Sequence, residues 1–303
     1  MTDVYDVYGV DYDGTLISGI TQQTLDTQSD LRAVSASGLV NPALASLIAQ
    51  MPIGSFTTLH LDEALTAIGI NGVALTSDAA LTMYGHKHAA GGGREGATSH
   101  KKYLINCGIV VPRSLTCDHQ GDATLQYDVV IAYDGTNVPI VPSESQSLAA
   151  NPTNAERFTL GPISVGGVAL SDYRSLSIDF GIDVMQEGSE SDIWPTHVSI
   201  REKKPSITIR GIDPDWFKVA AAVDMDGIAG THANTTLYLR KRLAGGTFAT
   251  GSNHIKLTAA GIIVPTPAFD GTHGSAGETG LQIQTYHDGT NEPIVVTTDQ
   301  ALP

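Results

Sequence analysis

His86-Lys87-His88 is the stretch whose residue types are best suited to chemistry. On a β-strand, side chains at i and i+2 leave the same face, so these two imidazoles could share a divalent metal. A period found elsewhere in the chain sets Arg240 and Arg242 against them. A metal site common to both places is therefore excluded, and a solvated strand is expected. Gly91-Gly92-Gly93-Arg94-Glu95-Gly96 lacks the Gly-Lys-Ser/Thr ending of a phosphate-cradling loop and reads as a hairpin loop. The only cysteines, Cys107 and Cys117, have no partners for a structural disulfide or a zinc site, so two reduced, partly buried thiols are expected. Neither a Ser-His-Asp nor a Cys-His spacing recurs in interpretable form.

Asp11-Tyr12-Asp13-Gly14-Thr15-Leu16 resembles the nucleophile loop of haloacid-dehalogenase-type phosphohydrolases, Asp-x-Asp-Gly-Thr. The resemblance implies that Asp11 attacks phosphorus, that Asp13 serves as acid and base, and that Mg2+ offsets the charge. Gly121-Asp122 and Asp128 would then stand for the metal-binding loop of that family. The context differs. Val4-Tyr5-Asp6-Val7-Tyr8-Gly9-Val10 is not the continuous apolar run of a buried parallel strand, and no parallel α/β alternation follows. The preferred reading is an Asp-Gly hairpin turn with no hydrolytic activity.

The elements that carry these residues repeat. Tyr133-Asp134-Gly135-Thr136-Asn137-Val138-Pro139-Ile140-Val141 is echoed by His287-Asp288-Gly289-Thr290-Asn291-Glu292-Pro293-Ile294-Val295. Tyr84 and Tyr238, His100 and His254, Asp134 and Asp288, and Gln146 and Gln300 each lie 154 residues apart, and Gly108 and Gly261 lie 153 apart. A steady offset with one small slip is the mark of tandem duplication, and the period is too long for a solenoid unit. The chain of 303 residues is expected to be two homologous domains, 1–148 and 155–303, joined by a polar linker.

Within each copy, period-two alternation predicts about eight strands and one short helix. In the second copy it covers 158–165, 168–170, 176–180, 197–201, 207–210, 236–240, 254–257, 261–265 and 281–286. Residues 4–28 read as a hairpin about Asp13-Gly14. Long irregular stretches are expected at about 28–52 and 183–195. In the first of these, Leu44, Leu47 and Ile48 fall at i, i+3, i+4 and predict a short amphipathic helix over 42–49. Helices are also expected over 62–68, closed by Gly69, and from Asp213-Pro214 onward. The Asp-Gly pair after 281–286 predicts a hairpin with 294–297.

The chain has 16% charged residues, a net charge of −15 and a sequence pI near 4.9. Tight binding to nucleic-acid phosphates, which is driven by cationic neutralisation, is disfavoured. No apolar run approaches the ~20 residues of a membrane span. Acids among the first six residues replace the basic and apolar regions of a secretory signal, so retention in a cytoplasm until assembly is expected.

Duplicated β-domains, a long loop early in each copy and a single short helix per copy resemble the tail tube (major tail) proteins of tailed bacteriophages. The likeness is best from Leu160-Gly161-Pro162-Ile163-Ser164-Val165-Gly166-Gly167-Val168 through Trp194-Pro195-Thr196-His197-Val198 and Ser206-Ile207-Thr208-Ile209 to Pro214. It implies a mainly β chain of two β-sandwich or barrel domains, each with one flanking α-helix. It further implies six domains to a ring, here from three chains, and rings stacked into a tube in the virion tail that conducts DNA. The implied partners are other copies of the chain, other tail proteins and DNA passing without specific binding, with no membrane, metal or cofactor. Apolar residues in the long loops, Leu39, Val40, Leu44, Leu47 and Ile48 with Ile193 and Trp194, are the expected ring-stacking contacts. The alternatives are another virion component such as a tail terminator or decoration protein, a duplicated carbohydrate-binding or adhesion module, and the phosphohydrolase.

Overall fold

The computed structural model describes every residue except 1–3, 36, 38–40, 43, 90–97, 149–156, 190–191, 213–231, 244, 267–269, 274–276, 288 and 291. The chain is mainly β. Its first half contains β1 (Tyr5–Tyr12), β2 (Thr15–Ile17), β3 (Ile20–Asp26), β4 (Ser29–Val34), β5 (Leu44–Gln50), β6 (Ile53–Thr58), α1 (Leu61–Ala67), β7 (Val73–Leu75), β8 (Leu81–Lys87), β9 (His100–Ile105), β10 (Gly108–Asp118), β11 (Thr124–Ile131) and β12 (Val141–Gln146). The second half contains β13 (Arg157–Val165), β14 (Val168–Ala169), β15 (Tyr173–Asp179), β16 (Ile182–Glu187), β17 (His197–Lys203), β18 (Ser206–Gly211), β19 (His232–Arg242), β20 (His254–Pro265), β21 (Thr279–Thr285) and β22 (Ile294–Gln300).

A five-stranded sheet runs β12-β9-β8-β1-β2. A larger one runs β14-β13-β19-β20-β21-β18-β15-β10-β11-β6-β3, with β22 added on β20 and β7 on β10. Two hairpins, β4–β5 and β16–β17, stand outside both sheets. Strict alternation explains the layers. Leu125, Tyr127, Val129 and Ile131 of β11, and Ile207 and Ile209 of β18, point into one continuous apolar core.

The pairing scheme of the first half recurs in the second. The contacts β1–β2, β1–β8, β8–β9, β9–β12, β10–β11, β11–β6, β6–β3 and β4–β5 have counterparts in β13–β14, β13–β19, β19–β20, β20–β22, β20–β21, β21–β18, β18–β15 and β16–β17. The register also agrees. Tyr84 faces Lys102 and Tyr238 faces Lys256, while Gln146 faces His100 and Gln300 faces His254. Two buried histidines do the same work: Nδ1 of His100 accepts from the Lys87 amide, and Nδ1 of His254 from the Lys241 amide, both at 3.0 Å.

Several expectations differ from what forms. Residues 44–50 are strand β5, paired with β4, and not a helix. Seven residues with apolar side chains at i, i+3, i+4 fit either period, and a cross-strand partner decides the outcome. The long irregular stretches are these two hairpins. The Asp-Gly turns do not close hairpins either: β12 pairs β9 and β22 pairs β20, so each turn carries the chain away from the strand before it. At the first, Asp134 accepts from the Asn137 side-chain amide at 2.9 Å and from the Asn137 and Thr136 backbone amides at 2.6 and 2.7 Å, and these bonds hold its carboxyl below the usual range. The turn is thereby satisfied internally. The two strands expected at 254–257 and 261–265 are one continuous β20, whereas Asn106 and Cys107 interrupt its first-half counterpart between β9 and β10. There are also more strands per half than the eight expected; β14 and β17 fall on the expected 168–170 and 197–201, whereas β4, β5 and β16 were not legible. Asp13 and Gly14 do form the tight turn of a hairpin, at φ 49° and 76°. The helix expected at Asp213 lies outside the described residues.

Helix α1 is only seven residues long and lacks a side-chain N-cap, so its stability must come from packing. Leu61, Ala64 and Leu65 are buried, and the hydroxyl of Tyr127 donates to the carbonyls of Ala64 and Gly69 at 3.3 and 3.0 Å. Phe56 stacks on the same ring at 5.2 Å. Tyr127→Phe keeps the ring and loses these hydrogen bonds, so it should lower unfolding stability by about 1 kcal/mol in urea melts, with an unchanged m-value.

Candidate assembly surfaces

The chemistry-bearing residues separate once folded. Asp11 lies in β1 opposite Leu16 of an antiparallel hairpin, and its carboxylate accepts from the Gly14 amide at 3.1 Å. Asp122 is far along the other sheet system, in an ion pair with Arg157 at 2.7 Å, and Asp128 lies in β11. The phosphohydrolase resemblance would need a parallel strand under Asp11, and the β1–β2 hairpin takes that place.

Asp6, His86 and His88 do come together, each with a ligand atom within 4.8 Å of the others. Asp6 faces His86 across β1–β8, and His86 Nδ1 lies 3.2 Å from the Val7 carbonyl. This two-histidine, one-carboxylate set is of a kind that takes zinc or a similar divalent ion with positions left open. Asp6 escaped sequence reasoning because its proximity depends on the β1–β8 register.

A second cluster was also invisible in the sequence. The hydroxyl of Ser18 donates to Glu63 Oε2 at 2.8 Å and lies 2.6 Å from His60 Nδ1, while its amide donates to the same carboxylate oxygen at 3.0 Å. The composition is that of a serine-hydrolase triad, but the wiring is not. A relay needs serine on one imidazole nitrogen and acid on the other. Here both oxygens meet Nδ1, and since the single hydroxyl proton goes to Glu63, Nδ1–H is the donor. Ser18 and His60 are buried, and a Cβ on Gly19 (φ 66°) would overlap the His60 ring. The cluster pins the β2–β3 corner to α1. Burial would push the Glu63 carboxyl up, but the bonds from His60 and Ser18 outweigh it and hold it below its ordinary 4.5. A lowered folded-state value means stability that is present above 4.5 and lost as pH falls through the folded value. Glu63→Gln should therefore lower Tm most at neutral pH, with the gap to wild type closing under acid, as followed by circular dichroism.

The cysteines are structural. Burial, with Asp118 adding to it, pushes the Cys117 thiol up to about 12, and burial likewise raises Cys107.

What remains are surfaces. The two halves are joined by strand pairing between β10 and β15: Ser114, Leu115, Thr116, Cys117 and Asp118 face Asp179, Ile178, Ser177, Leu176 and Ser175. The counterpart of β15 in the first half is β3, and among the described residues β3 pairs only with β6. Its outer edge carries Gln22, Gln23, Thr24 and Asp26 with no proline or lysine, and among the described residues no strand pairs with it. It thus lacks the usual protections of an edge strand. Gln23 Oε1 is buried there without a donor. At the other end, Asp270 bridges Glu278 as Thr116 faces Thr124, so Asp270 stands where β10 stands in the joint.

The arms differ in what they touch. The β16–β17 arm lies on the first half. Tyr133 N donates to the Pro195 carbonyl at 2.7 Å, and Gln50 N to the Ile193 carbonyl at 2.8 Å. Trp194 Nε1 donates to Gln50 Oε1 at 2.8 Å with its ring 5.2 Å from Tyr133, and Gln186 Nε2 donates to the Ile131 carbonyl at 2.8 Å. The Trp194 side chain is thus engaged within the chain, whereas Ile193 is held through its carbonyl and keeps its side chain exposed. The β4–β5 arm is exposed almost throughout, with Leu44 and Ile48 in solvent. Leu39 and Val40 lie outside the described residues. In sequence comparisons, no protein-family model and no curated protein matches this chain.

Proposed function

We propose that the chain is a tandem duplicate, 1–148 and 155–303, that assembles head to tail into three-chain, pseudo-sixfold rings, and that the rings stack into the tail tube of a bacteriophage. The observation that carries this reading is the β10–β15 joint. One copy of a domain meets the next by strand pairing inside the chain, and among the described residues the two halves of the same joint, the β3 edge and Asp270, are left without their counterparts. A head-to-tail contact of this kind is heterologous and makes a ring where the rotation closes. Tube identity rests on the resemblance of pattern, and the net charge of −15 suits a wall past which DNA slides. Stacking falls to apolar side chains that the β4–β5 arm leaves exposed, Leu44, Leu47 and Ile48. The role is structural; Mg2+-dependent phosphatase turnover abolished by Asp11→Asn would instead support the hydrolase.

The joint fixes a register for the contact between chains. Thr116 faces Ser177, so Asp270 of one chain should face Thr24 of the next. Directly opposed residues of an antiparallel pair have Cα atoms about 4.5–5.5 Å apart, within disulfide range. Thr24→Cys with Asp270→Cys should give covalent trimers on mild oxidation, seen on non-reducing gels, while each single variant stays monomeric on the gel. Failure of the double variant to link chains would contradict the reading.

A further inference from the structure

The two arms are built alike but occupied differently. Leu31 faces Leu47 in the β4–β5 arm, and Val184 faces Ile200 in the β16–β17 arm; each pair lies 153 residues from its counterpart. Both arms carry a bulge at the same place, between Asp30 and Leu31 and between Asp183 and Val184. Pro42 and Pro195, at the arm tips, correspond as well. Val184 and Ile200 are half-buried and pack on the continuous core. Leu31 and Leu47 hold the same positions with 73% and 38% of their surface in solvent.

The receiving surface shows the complementary difference. Ile200 meets Val111 of β10 over Gly72: a Cβ built there would lie 3.1 Å from Ile200 Cδ1 and 3.0 Å from Val111 Cγ1. Val111 is 3% exposed, and Ile109, on the same face two residues away, packs on the core. Their counterparts at the same 153-residue offset are Val264 and Ile262 of β20, which are 36% and 41% exposed. Among the described residues, the first half therefore leaves a plug exposed and the second half a socket.

We propose that the β4–β5 arm of one copy docks through Leu31 and Leu47 on the second half of the neighbouring copy, against Ile262 and Val264, reproducing between chains the contact that the β16–β17 arm makes within one. The partner is a second copy of this chain because the cis contact supplies the template for both surfaces. A plug and socket on opposite halves cannot satisfy each other within one chain if each arm reaches in the same direction, and together they define a heterologous interface. The inference rests on the ring reading and divides the labour of the arm. Side chains alternate along β5, so Leu47 and Leu44 leave opposite faces. Leu47 thereby leaves the stacking set and becomes a lateral contact, while Leu44, paired with Val34, keeps the outer face for stacking. The matching outer positions of the second arm, Glu187 and His197, are polar.

The test uses full-length chain. Light scattering should show trimers for wild type and monomers for Leu31→Asp with Leu47→Asp, with an unchanged far-UV circular dichroism spectrum because neither side chain belongs to the core of the single chain. Leu44→Asp should leave the trimer intact and shorten or abolish tubes under the electron microscope. Mixing a Leu47→Cys chain with a Val264→Cys chain under mild oxidation should give a covalent heterodimer, with wild type as the control for Cys107 and Cys117. If wild type is monomeric at every concentration, both the ring reading and this inference fail. If Leu31→Asp with Leu47→Asp still forms trimers, or the mixed cysteines do not link while Thr24→Cys with Asp270→Cys does, the arm inference alone is overturned and the ring stands.

Discussion

An antiparallel ladder has two edges, and each edge carries amide and carbonyl groups that must bond to something. In this chain, that requirement is met at the middle and deferred at the ends. The β10–β15 pairing closes one edge from each half and fuses the halves into one sheet. Among the described residues, no strand completes the same joint at β3 or at Asp270. Most other features follow from this. The core is continuous because β10 and β15 bring the two sets of apolar side chains together, and the second arm lies on the first half because the joint sets it there.

The repeat was legible because it lives in the sequence itself, and the alternating strands of the second half were legible because one face of each is buried. β18 and β21 follow period two closely, and their boundaries fall within a few residues of the expected ones. Where the reading failed, the deciding contact was distant. Residues 44–50 satisfy a helical spacing locally, and only β4, ten residues and more away, makes them a strand. The Asp134-Gly135 turn has the composition of a hairpin, but β12 finds a better partner in β9, on which it continues the five-stranded sheet.

The candidate chemistry follows the same rule. Ser18, His60 and Glu63 are separated by 42 and 45 residues from serine to each partner, and no local pattern announces them. Their shared Nδ1 shows that residue types do not make a relay without the right geometry. Asp11 and Asp13, conspicuous as a string, become a hairpin corner. The loop residues singled out for assembly proved divided: Trp194 is consumed inside the chain, and Leu44 and Ile48 remain in solvent. What separates the two arms is that the β16–β17 arm packs on the core while the β4–β5 arm, engaged at Gln50, stays largely in solvent, a fact of topology that no single segment encodes.

The central claim is that the contact between halves is also the contact between chains. Electron cryomicroscopy of the purified assembly tests it directly. The account predicts a ring of three chains with six similar lobes, in which β3 of each chain continues the sheet into the Asp270 segment of the next with Thr24 opposite Asp270. A map in which the outer edge of β3 faces solvent, or in which chains meet about a twofold axis through identical surfaces, would contradict it.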